Sequence, residues 1–181
     1  ISSLSIRIPR ECRGACVELF SQLQRDRLEN LLLISPPGVG KTTALRELIR
    51  LYSCSGVRVG VVDERSEIAA MERGRAQFDL GAHCDVIDGV PKDQAVMMLL
   101  RSMNPQLIAI DEITQAEDLN EIREIVGCGV RLLATAHAGE FSDLHRRPLY
   151  AALTEEGVFR HVVLIKQADG RRSYELRRMT S

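Results

Sequence analysis

An apolar run that breaks into a Pro/Gly turn and then into a helix leaves a chain few folds to choose from. Residues 31–43, Leu-Leu-Leu-Ile-Ser-Pro-Pro-Gly-Val-Gly-Lys-Thr-Thr, are such a stretch. Leu31 to Ile34 have no polar face, as a strand covered on both sides in a parallel sheet requires. Gly38 and Gly40 let the backbone curl so that successive N–H groups point inward. Beyond Thr42, the residues Leu45, Leu48 and Ile49 recur at helical spacing. A helix N-terminus carries partial positive charge and unpaired N–H donors, so a polyphosphate fits there, with Lys41 on the outer phosphates and the Thr42 hydroxyl on Mg²⁺. The pattern G-x-x-x-x-G-K-[ST] is met except at its first position, where Ser35 stands for glycine; serine is small enough to make the turn. The expected nucleotide-binding residues are Ser35, Pro36, Pro37, Gly38, Val39, Gly40, Lys41, Thr42 and Thr43.

A chain of 181 residues suits one domain of ordinary size over 1–181. Its hydrophobic share is 45% but its aromatic share only 4%, without Trp, so aliphatic residues must fill the interior. The net charge of −1 supplies no global basic field for nucleic acid or an acidic membrane surface. No apolar run reaches the roughly 18 residues of a membrane span, and no secretory pattern opens the chain, so a soluble, intracellular chain is expected. Five cysteines at scattered positions suit reduced thiols. Cys12 and Cys16 lie one helical turn apart, but no second ligand pair has suitable spacing, and free thiols on a helix are expected. The chain begins at Ile1 without an initiator Met, which suggests an excised piece of a longer protein.

Residues 3–8 alternate with period two and read as a half-exposed strand ended by Pro9. Cys16, Leu19, Phe20 and Leu23 mark one face of a helix. A second buried strand, Val57–Asp63, ends in Asp63-Glu64-Arg65-Ser66-Glu67. The carboxyl ends of parallel strands lie on the ligand side of an open α/β sheet, so Asp63 and Glu64 should face the nucleotide. Residues 72–83, with Arg73 and Arg75, read as a loop. A short strand at Asp85–Asp88 and an apolar helix over Lys92–Met103 come next. Leu107–Glu112 is an apolar strand ending in Asp-Glu. Downstream of a phosphate loop, Asp111 is placed to hold the Mg²⁺ shell and Glu112 to take a proton from water.

A helix is expected over Ala116–Val126, then a buried strand Val130–His137. Inserted beside the phosphate-loop strand, it would bring Thr135 or His137 to the terminal phosphate. Phe141 to Leu153 breaks into two helical pieces at Arg146-Arg147-Pro148. Phe159–Ile165 and Ser173–Met179 flank the turn signal Ala168-Asp169-Gly170 and form an antiparallel hairpin on one edge of the sheet. Arg171, Arg172, Arg177 and Arg178 read as its solvated face.

The ordered set Ser35–Thr42, Asp63-Glu64-Arg65-Ser66-Glu67, Asp111-Glu112 and Thr135-Ala-His137-Ala resembles the RecA-like (ASCE) branch of phosphate-loop NTPases and, within it, the motors of type II and type IV secretion. The phrases Val62-Asp-Glu-Arg-Ser-Glu-Ile68, Asp85-Val-Ile-Asp-Gly-Val-Pro-Lys92 and Ala134-Thr-Ala-His-Ala138 are similar to the stage III sporulation AA proteins of endospore-forming bacteria, a branch related to those motors. The resemblance implies a mainly parallel sheet flanked by helices. It implies an oligomeric ATPase, a homo-oligomeric ring such as a hexamer, that uses Mg²⁺ and ATP and forms the C-terminal part of a longer protein whose N-terminal domain is absent here. Such a domain would lie in the mother-cell cytoplasm, peripherally associated with the channel proteins between mother cell and forespore. In the related motors the acidic box after the second strand supplies a catalytic glutamate, which maps onto Glu64; the residues alone leave Glu112 equally placed. Thr114 departs from the glycine expected after Asp-Glu. Two alternatives stand beside the motor. One is a RecA-like nucleic-acid-dependent ATPase, against which stand the missing basic charge and the few aromatics. The other is a nucleotide-gated scaffold with little turnover. Candidates for an arginine acting across subunits are Arg65, Arg73, Arg75, Arg146 and Arg147.

Overall fold

Strand β1 (Leu31–Ser35) is the phosphate-loop strand, and all of its residues are buried. The computed structural model describes residues 11–179, so the strand expected over residues 3–8 lies outside the described residues. Helix α1 (Val17–Leu23) precedes β1, and α2 (Lys41–Cys54) follows the loop with Ala44, Leu45, Leu48 and Ile49 on its buried face. Next come β2 (Val59–Asp63), β3 (Cys84–Asp88), α3 (Lys92–Ser102), β4 (Leu107–Glu112), α4 (Asp118–Gly127) and β5 (Arg131–His137). Short helices α5 (Asp143–Arg146) and α6 (Pro148–Glu155) are separated where Pro148 takes the first helical position. The chain closes with β6 (His161–Ala168) and β7 (Arg171–Arg178). Among the described residues no helix is long and apolar enough to cross a membrane.

The strands form one sheet in the order β3-β2-β4-β5-β1-β6-β7. All its pairings are parallel except that of β6 with β7. Strand β5 is inserted between β4 and β1, with Ser35 opposite His137, as expected of a strand that carries polar groups to the loop. The hairpin sets β6 beside β1 and leaves β7 at the edge. Buried Asn30 aligns the start of β1: its amide nitrogen donates to the Val158 carbonyl at 2.7 Å and its oxygen accepts from the Leu132 N–H at 2.9 Å.

Period-two alternation assigns the two faces. Leu31, Leu33, Leu133 and Val163 pack with Leu45, Leu48 and Ile49 of α2, and with Leu19 of α1. Leu32, Ile34, Leu132 and Ile110 pack with Val96 and Leu99 of α3 and Ile122 and Ile125 of α4. Each such side chain contributes roughly 1.5–3 kcal/mol when fully buried, so these two layers hold the sheet rigid while the loops at its carboxyl edge stay polar.

One extra residue in β4 interrupts the alternation at that edge. Ala109 pairs with Leu133 but Glu112 pairs with Thr135, so three steps on β4 match two on β5. This is a β-bulge, which re-aims the side chains beyond it. Glu112 therefore shares a face with Thr135 and, two residues on, with His137. A regular ladder would have placed Asp111 there instead.

Candidate nucleotide site

Ser35 ends β1 fully buried, and its hydroxyl donates to the Pro36 carbonyl at 2.7 Å. The group standing in place of glycine is thus turned onto the loop's own backbone. Pro36, Pro37 and Gly38 are exposed, whereas Val39, Gly40, Thr42 and Thr43 are half-buried. Gly40 precedes α2 with φ 107°, a left-handed conformation that L side chains rarely adopt. No side chain caps α2, so the N–H groups of its first turn are left for an anion. That donor set fits a polyphosphate.

Lys41 is buried, and its Nζ lies 2.6 Å from Nδ1 of His137 and 3.4 Å from the Ser35 carbonyl oxygen. The other ring nitrogen, Nε2, lies 2.9 Å from Oε1 of Glu112. An ammonium only donates, so Nδ1 accepts from Lys41 and the ring N–H sits on Nε2, donating to Glu112. Three side chains from α2, β5 and β4 thus form one chain across the carboxyl edge of the sheet. Burial holds the Lys41 amine below its usual range, opposed by the charges of Glu112 and Asp111. Burial, followed by the charges of Glu67, Glu112 and Asp63, pushes the Asp111 carboxyl up to about 6, against the pull of Lys41. Among the described residues no cluster of three or more His, Cys, Asp or Glu side chains stands ready for a metal. Mg²⁺ bound with a nucleotide takes one or two protein oxygens and completes its shell with phosphate and water, and Asp111 with the Thr42 hydroxyl fits that role.

Of the acidic box, Glu64 is exposed and lines a cavity of about 400 Å³ with Arg65, Lys92, Asp111 and Glu112. The phosphate loop does not line this cavity; it lies open beside it. Asp63 does not face the nucleotide as expected. Its carboxylate is buried and accepts from the backbone N–H groups of Glu67, Ile68 and Ala69 at 2.8–3.1 Å. Five backbone groups of that loop are thus held by side chains, because Arg46 of α2 adds donors to the Glu67 and Ile68 carbonyls at 2.9 and 2.7 Å. Asp63→Ala would leave three N–H groups without a partner at about 1–3 kcal/mol each, a large share of the roughly 5–15 kcal/mol that holds a domain. A fall of about 3 kcal/mol or more in urea unfolding stability is expected; a midpoint unchanged at constant slope would show that the loop does not depend on Asp63.

Past β4, Asp118 accepts from the N–H groups of Thr114 and Gln115 at 2.7 and 3.1 Å. Lys92 ties the same turn by donating to Asp118 and to the Glu112 carbonyl at 2.7 and 2.9 Å. Thr114 is accommodated in place of glycine because the turn is held through its backbone. Thr135 is buried within the sheet, so of the two β5 candidates only His137 reaches the loop. Neither Asp118 nor Lys92 carries a sequence pattern that foretells this role; an acidic residue is common in the first turn of a helix.

Arg172 corrects the expectation of a solvated arginine face on the hairpin: its Nε donates to the Val39 carbonyl at 3.1 Å, inside the phosphate loop. Arg177 lies 3.9 Å from the Phe141 ring centre and Arg178 pairs with Asp26 at 2.9 Å, while Arg171 is exposed. Arg65, Arg73 and Arg75 are exposed on the loop after β2. Arg146 pairs with Asp143 at 3.5 Å and Arg147 lies over the Tyr150 ring. None of these five is hydrogen-bonded to Lys41, His137 or Glu112. The cysteines are free thiols, as expected.

A strand order with β5 between β4 and β1, an uncapped glycine turn opening α2, and an Asp-Glu edge beside it define a RecA-like phosphate-loop NTPase fold. Solved structures agree at the level of fold. The chain superimposes on the Legionella pneumophila ATPase DotB with TM-score 0.64 at 20% identity, over 93% of this chain and 51% of that one. The pilus retraction motor PilT, solved with bound ADP, gives 0.58 at 16% identity, over 99% of this chain and 55% of that one. A family model described as "Sporulation stage III, protein AA" matches residues 1–175, and the chain belongs to that family. Stage III sporulation protein AA of Bacillus subtilis is 40% identical over 175 residues, 94% of this chain and 57% of that protein. The chain thus spans a little over half the length of that relative.

Proposed function

We propose that this chain is the Mg-ATP-binding and hydrolysing domain of a ring-forming motor that serves a membrane channel complex between mother cell and forespore, from the cytoplasmic side of the mother cell. The observation that carries the reading is the chain Lys41–His137–Glu112 at the end of the phosphate-loop strand. Lys41 and the α2 amides neutralise phosphate charge, and Thr42 and Asp111 would hold Mg²⁺, which would supply electrostatic stabilisation of phosphate charge. Glu112 orients water and accepts its proton. His137, bridging Lys41 and Glu112, links phosphate occupancy to the position of that carboxylate. The ADP of PilT and the sporulation family support the nucleotide and the setting.

Mg-ATP should stabilise the chain by roughly 2.7 kcal/mol at 100 times Kd. Each kcal/mol raises the melting point of a domain this long by roughly 2–4 °C. Lys41→Ala should remove most of the shift, and a parent chain that does not respond to millimolar Mg-ATP would sink the proposal. The shift should also depend on pH. With Asp111 raised to about 6, the folded metal-free chain holds a proton that the unfolded chain has already lost. Stability from this group therefore falls as pH rises from the ordinary carboxylate range through about 6. Mg²⁺ needs the carboxylate, so the Mg²⁺-dependent part of the shift grows over the same rise.

A further inference from the structure

Arg172 lies on β7 just past the Asp169-Gly170 turn and faces Gln167 across the hairpin. From there its side chain crosses to a loop 133 residues away in sequence, where Val39 is its one hydrogen-bond partner among the described residues. The guanidinium rests against Gly40 so closely that a Cβ at that position would meet Cζ, Nη2 and Nε at 2.7–2.8 Å. Gly40 supplies the positive φ that the turn requires, and its missing Cβ leaves room for this approach.

The electrostatics of that contact are incomplete. A guanidinium is set at the uncapped N-terminus of α2, the helix end that disfavours a cation and favours an anion. Lys41 stands next in sequence, but Glu112 and Asp111 face it. No carboxylate pairs with Arg172 among the described residues, and its two Nη groups donate to nothing there. Two cations and a positive helix end converge with a counter-charge for only one of them.

We propose that Arg172 is a nucleotide-binding residue of the phosphate loop, supplied in cis by the terminal hairpin, whose Nη groups donate to oxygens of the diphosphate shared by ADP and ATP. The assignment rests on the nucleotide reading of the loop given above. It selects the diphosphate because Arg172 meets the loop at Val39 and Gly40, before Lys41, whereas the Lys41–His137–Glu112 chain takes the terminal phosphate. A fork of donors suits two phosphate oxygens at once. The edge hairpin, by the same contact, joins the order of β7 to occupancy of the loop.

Calorimetric titration of Mg-ADP and Mg-ATP into the parent, Arg172→Ala, Arg172→Lys and Arg171→Ala chains tests this. Arg172→Ala should weaken both nucleotides about tenfold or more, and to the same extent. Arg172→Lys, which keeps the charge without the fork, should recover part of the loss. Arg171→Ala, an exposed charge on the same hairpin, should bind as the parent does. Melting without nucleotide separates weakened binding from a loosened hairpin; if the alanine chain does not fold, the lysine chain carries the comparison. Parental affinity for ADP in Arg172→Ala, or in a folded Arg172→Lys when the alanine chain is lost, would overturn the proposal, as would loss of ATP binding alone. A parent that binds neither nucleotide overturns the loop reading itself, before any variant is compared.

Discussion

Glu112→Gln should bind Mg-ATP as tightly as the parent and hydrolyse it roughly 10²–10⁴ times more slowly, the usual contribution of a positioned general base. The substitution keeps the size of the side chain and its ability to accept from His137 Nε2, now 2.9 Å away, but removes the negative charge and the proton-accepting group. The acidic box supplies a competitor. Glu64 shares the cavity with Asp111 and Glu112 and is exposed, but only Glu112 is joined through His137 to the lysine that meets the phosphates. Glu64→Gln should therefore cost less turnover than Glu112→Gln. Single-turnover hydrolysis, measured beside nucleotide affinity, reads both. A Glu112→Gln chain with parental turnover beside an inactive Glu64→Gln chain would move the base to the acidic box.

Hydrolysis per chain should climb steeply with protein concentration, because among the described residues no arginine is bonded to Lys41, His137 or Glu112, the groups placed for the terminal phosphate. Such an arginine is worth roughly 10³–10⁵ in rate. Arg172 meets the loop on the Val39–Gly40 side, and none of Arg65, Arg73, Arg75, Arg146 or Arg147 is bonded to Lys41, His137 or Glu112. Arg146 and Arg147 are engaged by Asp143 and Tyr150. Arg73 and Arg75 project from the exposed loop after β2 without an ion-pair partner among the described residues, free to enter the site of a neighbouring copy. The cavity beside the loop would draw them, since Glu64, Asp93, Glu117 and Glu121 outnumber Arg65 and Lys92 on its walls. Mixing a Lys41→Ala chain, which has intact arginines and a dead loop, with an Arg73→Ala or Arg75→Ala chain should restore activity that neither shows alone. Activity per chain that stays constant over a hundredfold dilution, with both arginine variants unaffected, would leave no shared site.

Those expectations draw on two kinds of information. The loop from Ser35 to Thr43 was legible in the sequence because its chemistry is local: an apolar strand, two glycines and a helix start deliver Lys41 and Thr42 by chain connectivity alone. The same holds for the edge of β4, where an apolar run ends in Asp111-Glu112, and for the hairpin signalled by Asp169-Gly170. The insertion of β5 beside β1 followed from its polar end and from the resemblance to RecA-like motors.

Choices between neighbouring residues were decided in the tertiary structure. Asp111 and Glu112 differ by one position, and a bulge against β5 turned Glu112 toward His137. Asp63 and Glu64 also differ by one position; the first is saturated by loop amides and the second opens on the cavity. Arg172 looks in sequence like Arg171, Arg177 and Arg178, yet only it reaches the phosphate loop. The sequence by itself determined the α/β sheet, the phosphate loop and the acidic strand ends, since hydrophobic period and turn chemistry act over a few residues. Only the tertiary structure decided which carboxylate and which arginine enter the site, because strand register and side-chain reach depend on partners more than a hundred residues away for Arg172 and on the neighbouring strand for Glu112.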